Sequence, residues 1–91
     1  MSIERKVTKI VVKALSTLYG IPVNKKEIQL QTTKKEFEGD ITLVVFPFVK
    51  AARKSPEQAA QEIGEYLQQH EPIISGFNVI KGFLNLSIAS S

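Results

Sequence analysis

The feature that most constrains the fold is a pair of strand-like segments near the end of the sequence. Apolar residues dominate Ile74–Ile80 and Phe83–Ile88, and only Lys81-Gly82 separates the two segments. A two-residue turn joins antiparallel strands, whereas a parallel connection needs a dozen residues or more. The sequence therefore predicts an antiparallel β-hairpin here.

The second strand of this hairpin has two different faces, because successive strand side chains point in opposite directions. Leu84, Leu86 and Ile88 form an apolar face that we expect in the core. Phe83 and Asn85 lie on the other face, about 7 Å apart along the strand. A ring that stacks and an amide that offers both a donor and an acceptor suit a single unpaired base. An ordinary aromatic and a solvated asparagine fit the same pattern, and we expect Asn85→Ala to leave folding nearly intact.

An amphipathic helix is predicted at the start of the chain. Apolar residues recur at intervals of three and four over residues 3–18, which gives one apolar stripe. Gly20 and Pro22 follow, a glycine for the turn out of the helix and a proline that cannot continue it. We therefore expect this helix to cover one face of a sheet.

A second helix is predicted over Pro56–Leu67. Ser55 is a good N-cap, and Pro56 suits the first helical position because its missing N–H would be unpaired there in any case. Pro72 marks the end of the helical pattern. This helix supplies a second apolar stripe for the core.

Two further strands are predicted between the helices. Residues 28–32 alternate, and Ile41–Phe46 is apolar nearly throughout, which is typical of a central strand. The element order α-β-β-α-β-β predicts an α+β fold with two layers. Two helices would pack on one face of a four-stranded, mostly antiparallel sheet, and residues 1–91 would form a single domain.

Composition excludes several classes of protein. The chain has no cysteine, so disulfides, thiolate zinc sites and cysteine nucleophiles are excluded. Neither a phosphate-cradling glycine loop nor a second histidine for metal binding occurs. Residues 1–54 hold eleven Lys or Arg and five acidic residues, whereas residues 55–91 hold one Lys and four acidic residues. This asymmetry points weakly to an anionic partner for the first part of the chain.

Several short motifs occur in an order that resembles the N-terminal additional domain of arginyl-tRNA synthetases. These are Gly39-Asp40, Lys50, a helix that begins at Pro56, and the closing Gly82-Phe83-Leu84-Asn85. The resemblance covers nearly the whole chain. One departure is the lack of the Asn that many members carry soon after the Gly-Asp pair, so a role for that Asn is not transferred.

The resemblance implies a tRNA-binding accessory domain of arginine–tRNA ligase that contacts the D-loop of tRNA for arginine. Phe83 would stack on an extruded base, Asn85 would hydrogen-bond the base edge, and Gly82 would allow close approach because it has no side chain. Gly39-Asp40 is interpreted as a structural turn that sets the register of the second strand. Four basic residues are candidates for phosphate contacts, which position without specifying: Lys50, Arg53, Lys54 and Lys81.

The resemblance also implies that the 91 residues catalyse nothing alone. The catalytic domain would follow Ser91 in the same chain and would use ATP and magnesium, whereas we expect no cofactor and no metal in this segment. We expect a cytoplasmic location and no membrane contact. The alternative is a small α+β protein–protein interaction module that uses its open sheet face or edge and has no nucleic-acid role.

Overall fold

A computed structural model describes residues 3–20, 23–33 and 39–89. Pro22 lies outside these residues, as does most of the connection between the first two strands. In chain order the elements are α1 (Ile3–Tyr19), β1 (Leu30–Thr32), β2 (Ile41–Val44), α2 (Val49–Ala52), α3 (Pro56–His70), β3 (Ile74–Ile80) and β4 (Phe83–Ile88). Two short 3-10 turns, Lys25–Glu27 and Phe46–Phe48, precede β1 and α2.

The four strands form one sheet in the order β1-β2-β4-β3, and every neighbouring pair is antiparallel. The predicted hairpin is confirmed with both strand bounds as expected, and β2 is central and buried along its whole length. The α+β fold class is therefore confirmed. A short helix, α2, also lies between β2 and α3.

The second strand is shorter than predicted. It ends at Val44 because Val45 adopts a right-handed helical conformation with φ −95° and ψ −8°. The segment Phe46–Phe48 then forms a 3-10 turn rather than continuing the strand. This change of direction removes Phe46 from the sheet and leads directly into α2.

The core lies between the helices and one face of the sheet. Residues of α1 and α3 pack there against alternate residues of β2 and β4. The register of these two strands places Ile41 opposite Leu86 and Leu43 opposite Leu84. The fully buried members include Val7, Val11, Leu15, Ile63, Leu67, Leu84 and Leu86. Among the described residues, the other face of the sheet therefore carries no long helix.

The helix ends follow the sequence signals. The Gln58 N–H donates to Ser55 Oγ at 3.2 Å, which confirms Ser55 as the N-cap of α3. The same helix continues to His70, three residues beyond the predicted stripe, and the Glu71 N–H bonds to the Leu67 carbonyl. Within the described ranges, no helix has the length and apolar character needed to cross a membrane.

Candidate functional site

A row of polar residues crosses the sheet on the face opposite the helices. The strand register places Gln31 opposite Thr42, Thr42 opposite Asn85, and Asn85 opposite Asn78. We call these four residues the polar row. All four strands contribute one member each, so the antiparallel topology brings together residues up to 54 positions apart in sequence.

Hydrogen bonds connect the polar row to Thr33. The hydroxyls of Thr33 and Thr42 lie 2.9 Å apart, and Thr42 Oγ1 donates to Asn85 Oδ1 at 2.6 Å. Asn85 Nδ2 donates in turn to Asn78 Oδ1 at 3.4 Å. Polar groups that leave water need such partners, because an unpaired buried donor or acceptor costs about 1–3 kcal/mol.

Asn85 is much less exposed than its position on the face opposite the core suggested. Only 2% of the residue is accessible, so the expectation of a solvated asparagine is wrong. Gly39 is the reason, since a Cβ atom there would lie 3.1 Å from Asn85 Cβ. Asn85→Ala would remove the hydrogen bonds to Thr42 and Asn78, and the expectation that this variant folds nearly intact stays a prediction, which thermal melts of the variant check.

The Gly39-Asp40 pair lies at the start of β2, where Asp40 forms hydrogen bonds with β4. The Asp40 N–H donates to the Leu86 carbonyl at 2.8 Å, and the Asp40 carboxylate accepts from the Ile88 N–H at 2.8 Å. These two bonds hold Ile41 opposite Leu86. These contacts support the interpretation of Gly39-Asp40 as a structural element at the start of the second strand.

A cavity of about 340 Å³ opens on this face, and we call it the sheet-face cavity. Its volume lies in the range of about 300–1,000 Å³ that small-molecule sites occupy. The lining brings together an aromatic ring, a carboxamide, an aliphatic wall and an ammonium group. The residues that supply these groups are Gln31, Thr42, Ile80, Lys81, Phe83 and Asn85.

Phe46 covers the hairpin turn beside this cavity. A Cβ atom at Gly82 would collide with the Phe46 ring, so the missing side chain of Gly82 accommodates that ring. The rings of Phe46 and Phe83 meet edge to face, with centroids 5.7 Å apart. Phe46 remains 48% exposed, and its ring contacts the ring of Phe83, which lines the cavity.

The candidate basic residues do not converge on one point. Lys81, in a left-handed conformation with φ 55° at the hairpin turn, lines the cavity. Lys50 is exposed on α2, and Arg53 is exposed directly after it. Lys54 instead forms an ion pair with Glu62 of α3, with Nζ and Oε2 2.8 Å apart.

Glu62 also joins α1 to α3, because it accepts a hydrogen bond from the Tyr19 hydroxyl at 2.6 Å. Hydrogen bonds from Lys54 and Tyr19 lower the pKa of the Glu62 carboxyl. Burial raises the pKa of Tyr19, and the bond to Glu62 adds to this effect. Lys54 therefore belongs to a contact within the helical layer.

Sequence reasoning missed three members of the network: Thr33, Thr42 and Asn78. Thr42 had a visible signal, because it is the one polar residue in the apolar run Ile41–Phe46. Thr33 and Asn78 had no such signal. In the part of the chain that the structure describes, no three His, Cys, Asp or Glu side chains are grouped so that they could hold a metal ion.

An antiparallel four-stranded sheet with helices on one face and a cavity on the other defines a small two-layer α+β domain. Residues 5–88 match the family model described as the arginyl tRNA synthetase N terminal domain. The chain belongs to this family, as the order of its short motifs indicated.

Full-length relatives carry the same segment. An arginine–tRNA ligase of Bacteroides thetaiotaomicron is 63% identical over 91 residues, which are 100% of this chain and 15% of that protein. An arginine–tRNA ligase of Amoebophilus asiaticus is 40% identical over 88 residues, covering 97% of this chain and 15% of that protein. The chain thus spans about a seventh of the length of these relatives.

A solved structure shows the same fold. The arginyl-tRNA synthetase of Thermus thermophilus superimposes with a TM-score of 0.78, covering 97% of this chain and 14% of that chain. The sequence identity is 24%, so this likeness concerns the fold. It agrees with the two-layer arrangement described above.

Proposed function

We propose that this chain is the tRNA-binding N-terminal domain of an arginine–tRNA ligase and that it reads a D-loop base of tRNA for arginine. The catalytic domain would follow Ser91 and would carry out the ATP- and magnesium-dependent aminoacylation in the cytoplasm. Family membership supports the domain assignment. The full-length relatives are themselves arginine–tRNA ligases, which supports the activity of the whole chain.

The observation that carries the base-reading proposal is the composition of the sheet-face cavity. Phe83, Asn85 and Lys81 all line it, and they supply a ring, a carboxamide and a positive charge. Bases of single-stranded loops are recognised by stacking on aromatic rings and by hydrogen bonds to their edges. A cavity that offers both, with an ammonium group for the adjacent phosphate, suits one extruded nucleotide.

Each residue of the site has its own role in binding the nucleotide. Phe83 stacks on the base, Asn85 hydrogen-bonds its edge, and Gly82 accommodates the Phe46 ring that supports Phe83. Lys81 lines the cavity, unlike the other three basic candidates, and would contact the phosphate backbone. Lys50, Arg53 and Lys54 would add more distant phosphate contacts, and Lys54 would contribute least because Glu62 already compensates its charge.

The test is aminoacylation by the ligase that carries this domain, with four tRNA transcripts that differ at one D-loop base. Asn85→Ala should reduce the discrimination between these transcripts by about 1–3 kcal/mol, the scale of base-edge contacts. Phe83→Ala should weaken all four more evenly by about 1–3 kcal/mol, because stacking tolerates any base. The measured quantity is kcat/KM for each transcript.

Two controls separate recognition from folding. Asn24→Ala removes an exposed carboxamide that makes no capping hydrogen bond, and it should leave the four kcat/KM values unchanged. Leu84→Ala should lower stability by about 2–5 kcal/mol through a cavity in the core. If Asn85→Ala keeps the preferences of the parent, the base-reading assignment is wrong. The sheet would then serve as a scaffold, as in the protein–protein interaction module.

A further inference from the structure

We infer that Thr42 is a positioning residue that holds the Asn85 carboxamide in one of its two flip orientations. Thr42 thereby sets the order of donor and acceptor that a bound base must present. This inference rests on the proposed function, because it concerns how Asn85 reads a base. It adds a residue in the middle of β2 to the specificity of the site.

The hydrogen-bond distances support one orientation of the carboxamide. O–H···O bonds are typically about 2.7–2.8 Å long and N–H···O bonds about 2.9–3.0 Å. The contact from Thr42 Oγ1 is 2.6 Å and the contact to Asn78 Oδ1 is 3.4 Å. The short contact fits the Asn85 oxygen on the Thr42 side, and the long contact fits the nitrogen on the Asn78 side.

The neighbouring hydroxyl reinforces this arrangement. Thr42 has a single hydroxyl proton, which it donates to Asn85 Oδ1, so the 2.9 Å contact with Thr33 is one that Thr42 accepts. Both threonines are less than a tenth exposed, which limits competition from water for these bonds. The chain of bonds therefore runs in one direction, from Thr33 through Thr42 and Asn85 to Asn78.

A carboxamide held in one orientation offers a ligand its remaining hydrogen-bond donor and acceptor in one fixed order. The Asn85 oxygen has two lone pairs and uses one for Thr42, and its nitrogen has two protons and uses one for Asn78. One acceptor and one donor remain, and reversing their order would require Thr42 to accept rather than donate and the Asn78 carboxamide to flip as well. Asn85 lines the sheet-face cavity although only 2% of the residue is accessible, so a base stacked on Phe83 would meet this pair at the wall of the cavity.

The order of donor and acceptor separates two classes of base. Adenine and cytosine present an exocyclic amino donor next to a ring nitrogen that accepts. Uracil and guanine present an exocyclic oxygen that accepts next to a ring N–H that donates. A carboxamide that flips freely pairs with either class, whereas one that Thr42 holds discriminates between amino-bearing and oxo-bearing bases.

The experiment measures kcat/KM of the ligase that carries this domain for transcripts with each of the four bases at the recognised D-loop position. The readout is the ratio between the amino-bearing and the oxo-bearing class. Thr42→Val keeps the shape of the side chain and removes the hydroxyl, and it should reduce this ratio by about tenfold. Thr42→Ser restores the donor and should keep the ratio within about twofold of the parent.

The controls make the result specific to this hydroxyl. Thr8→Val removes a hydroxyl that donates to the Glu4 carbonyl on α1, away from the cavity, and it should leave the ratio unchanged. Should Thr42→Val fail to fold in thermal melts, Thr42→Cys replaces it. Its thiol is a weak donor, so Thr42→Cys should lose the discrimination that Thr42→Ser keeps.

The outcomes distinguish this inference from the proposed function. If Asn85→Ala removes the preference for one class of base and Thr42→Val reduces it, both the proposed function and this inference stand. If Asn85→Ala abolishes the ratio but Thr42→Val and Thr42→Cys leave it unchanged, Asn85 reads the base without Thr42 and the inference is overturned alone. If Asn85→Ala leaves the ratio unchanged, the base-reading proposal fails, and the inference fails with it.

Discussion

The carboxylate of Asp40 accepts a hydrogen bond from the backbone N–H of Ile88 at 2.8 Å. The same residue donates its own N–H to the Leu86 carbonyl, so Asp40 is joined to β4 in both directions. The pairing that follows places Thr42 directly opposite Asn85. The Asp40 side chain at the entry of β2 thus supports the pairing that brings the polar row together.

Asp40→Ala should lower the free energy of unfolding by about 1–2 kcal/mol, because it leaves the Ile88 N–H without its charged acceptor. Asp40→Asn retains an acceptor oxygen and should lose less. Urea melts of both variants measure the difference. Equal stability of Asp40→Ala and the parent would show that the register depends on the backbone bonds alone.

The elements that local patterns specify were predicted well. The hairpin bounds followed from a two-residue turn between apolar segments, and the start of α3 followed from Ser55-Pro56. Both depend on residues adjacent in sequence, so neighbouring side chains carry the signal. The end of β2 was misjudged because Val45 is apolar in either conformation, and only its backbone angles show that the chain turns there.

The sequence predicted which residues form the candidate site, but it did not predict their burial or their hydrogen-bond partners. Alternation places Asn85 opposite the core, but its burial depends on Gly39 and Thr42, which are more than 40 positions away in sequence. The ion pair between Lys54 and Glu62 likewise arises from tertiary packing. A single sequence read by periodicity does not contain such contacts.

Ser55→Ala should cost about 1 kcal/mol of stability, since Ser55 Oγ accepts from the first turn of α3. We expect tRNA selection to be unchanged, because this helix supports the sheet from the face opposite the cavity. Ser16→Ala, on the exposed side of α1, is the matched control and should change stability by less than about 0.5 kcal/mol. A change within error for Ser55→Ala in urea melts would contradict the N-cap assignment.

The stability of the domain should depend on Glu62 at acidic pH. Lys54 and Tyr19 lower the pKa of Glu62 below its ordinary value of 4.5. The ionised carboxylate therefore stabilises the folded state fully above that value, and the contribution is lost as pH falls through the lowered pKa. Glu62→Gln should flatten the pH dependence of stability below about pH 4.5, the ordinary pKa of a glutamate.

The comparison for this prediction is a set of melts from pH 7 to pH 3 with parent, Glu62→Gln and Lys54→Met. Lys54→Met should also flatten, in part, the fall in the free energy of unfolding at acidic pH, because it removes the largest cause of the lowered pKa of Glu62. The effect should be modest, since both side chains are more than a third exposed and water screens the pair. Parallel curves for parent and Glu62→Gln would refute the role of this carboxylate.

Binding of tRNA should be sensitive to salt in a way that ranks the basic residues. Four phosphate contacts give a slope of roughly −3 in a plot of log affinity against log salt concentration. Lys81→Ala should reduce the magnitude of this slope by about 1, because its ammonium group lies at the cavity and releases a counterion when it meets a phosphate. Lys54→Ala should change it least, because Glu62 already partners Lys54.

Fluorescence anisotropy of labelled tRNA, titrated at several potassium chloride concentrations, provides the slopes. Lys13→Ala is the control, since Lys13 is exposed on α1, in the layer on the opposite side of the sheet from the cavity. Its slope should equal that of the parent, whereas Lys50→Ala and Arg53→Ala should fall between the control and Lys81→Ala. An affinity that does not vary with salt would contradict phosphate contacts at all four positions, because every such contact releases counterions.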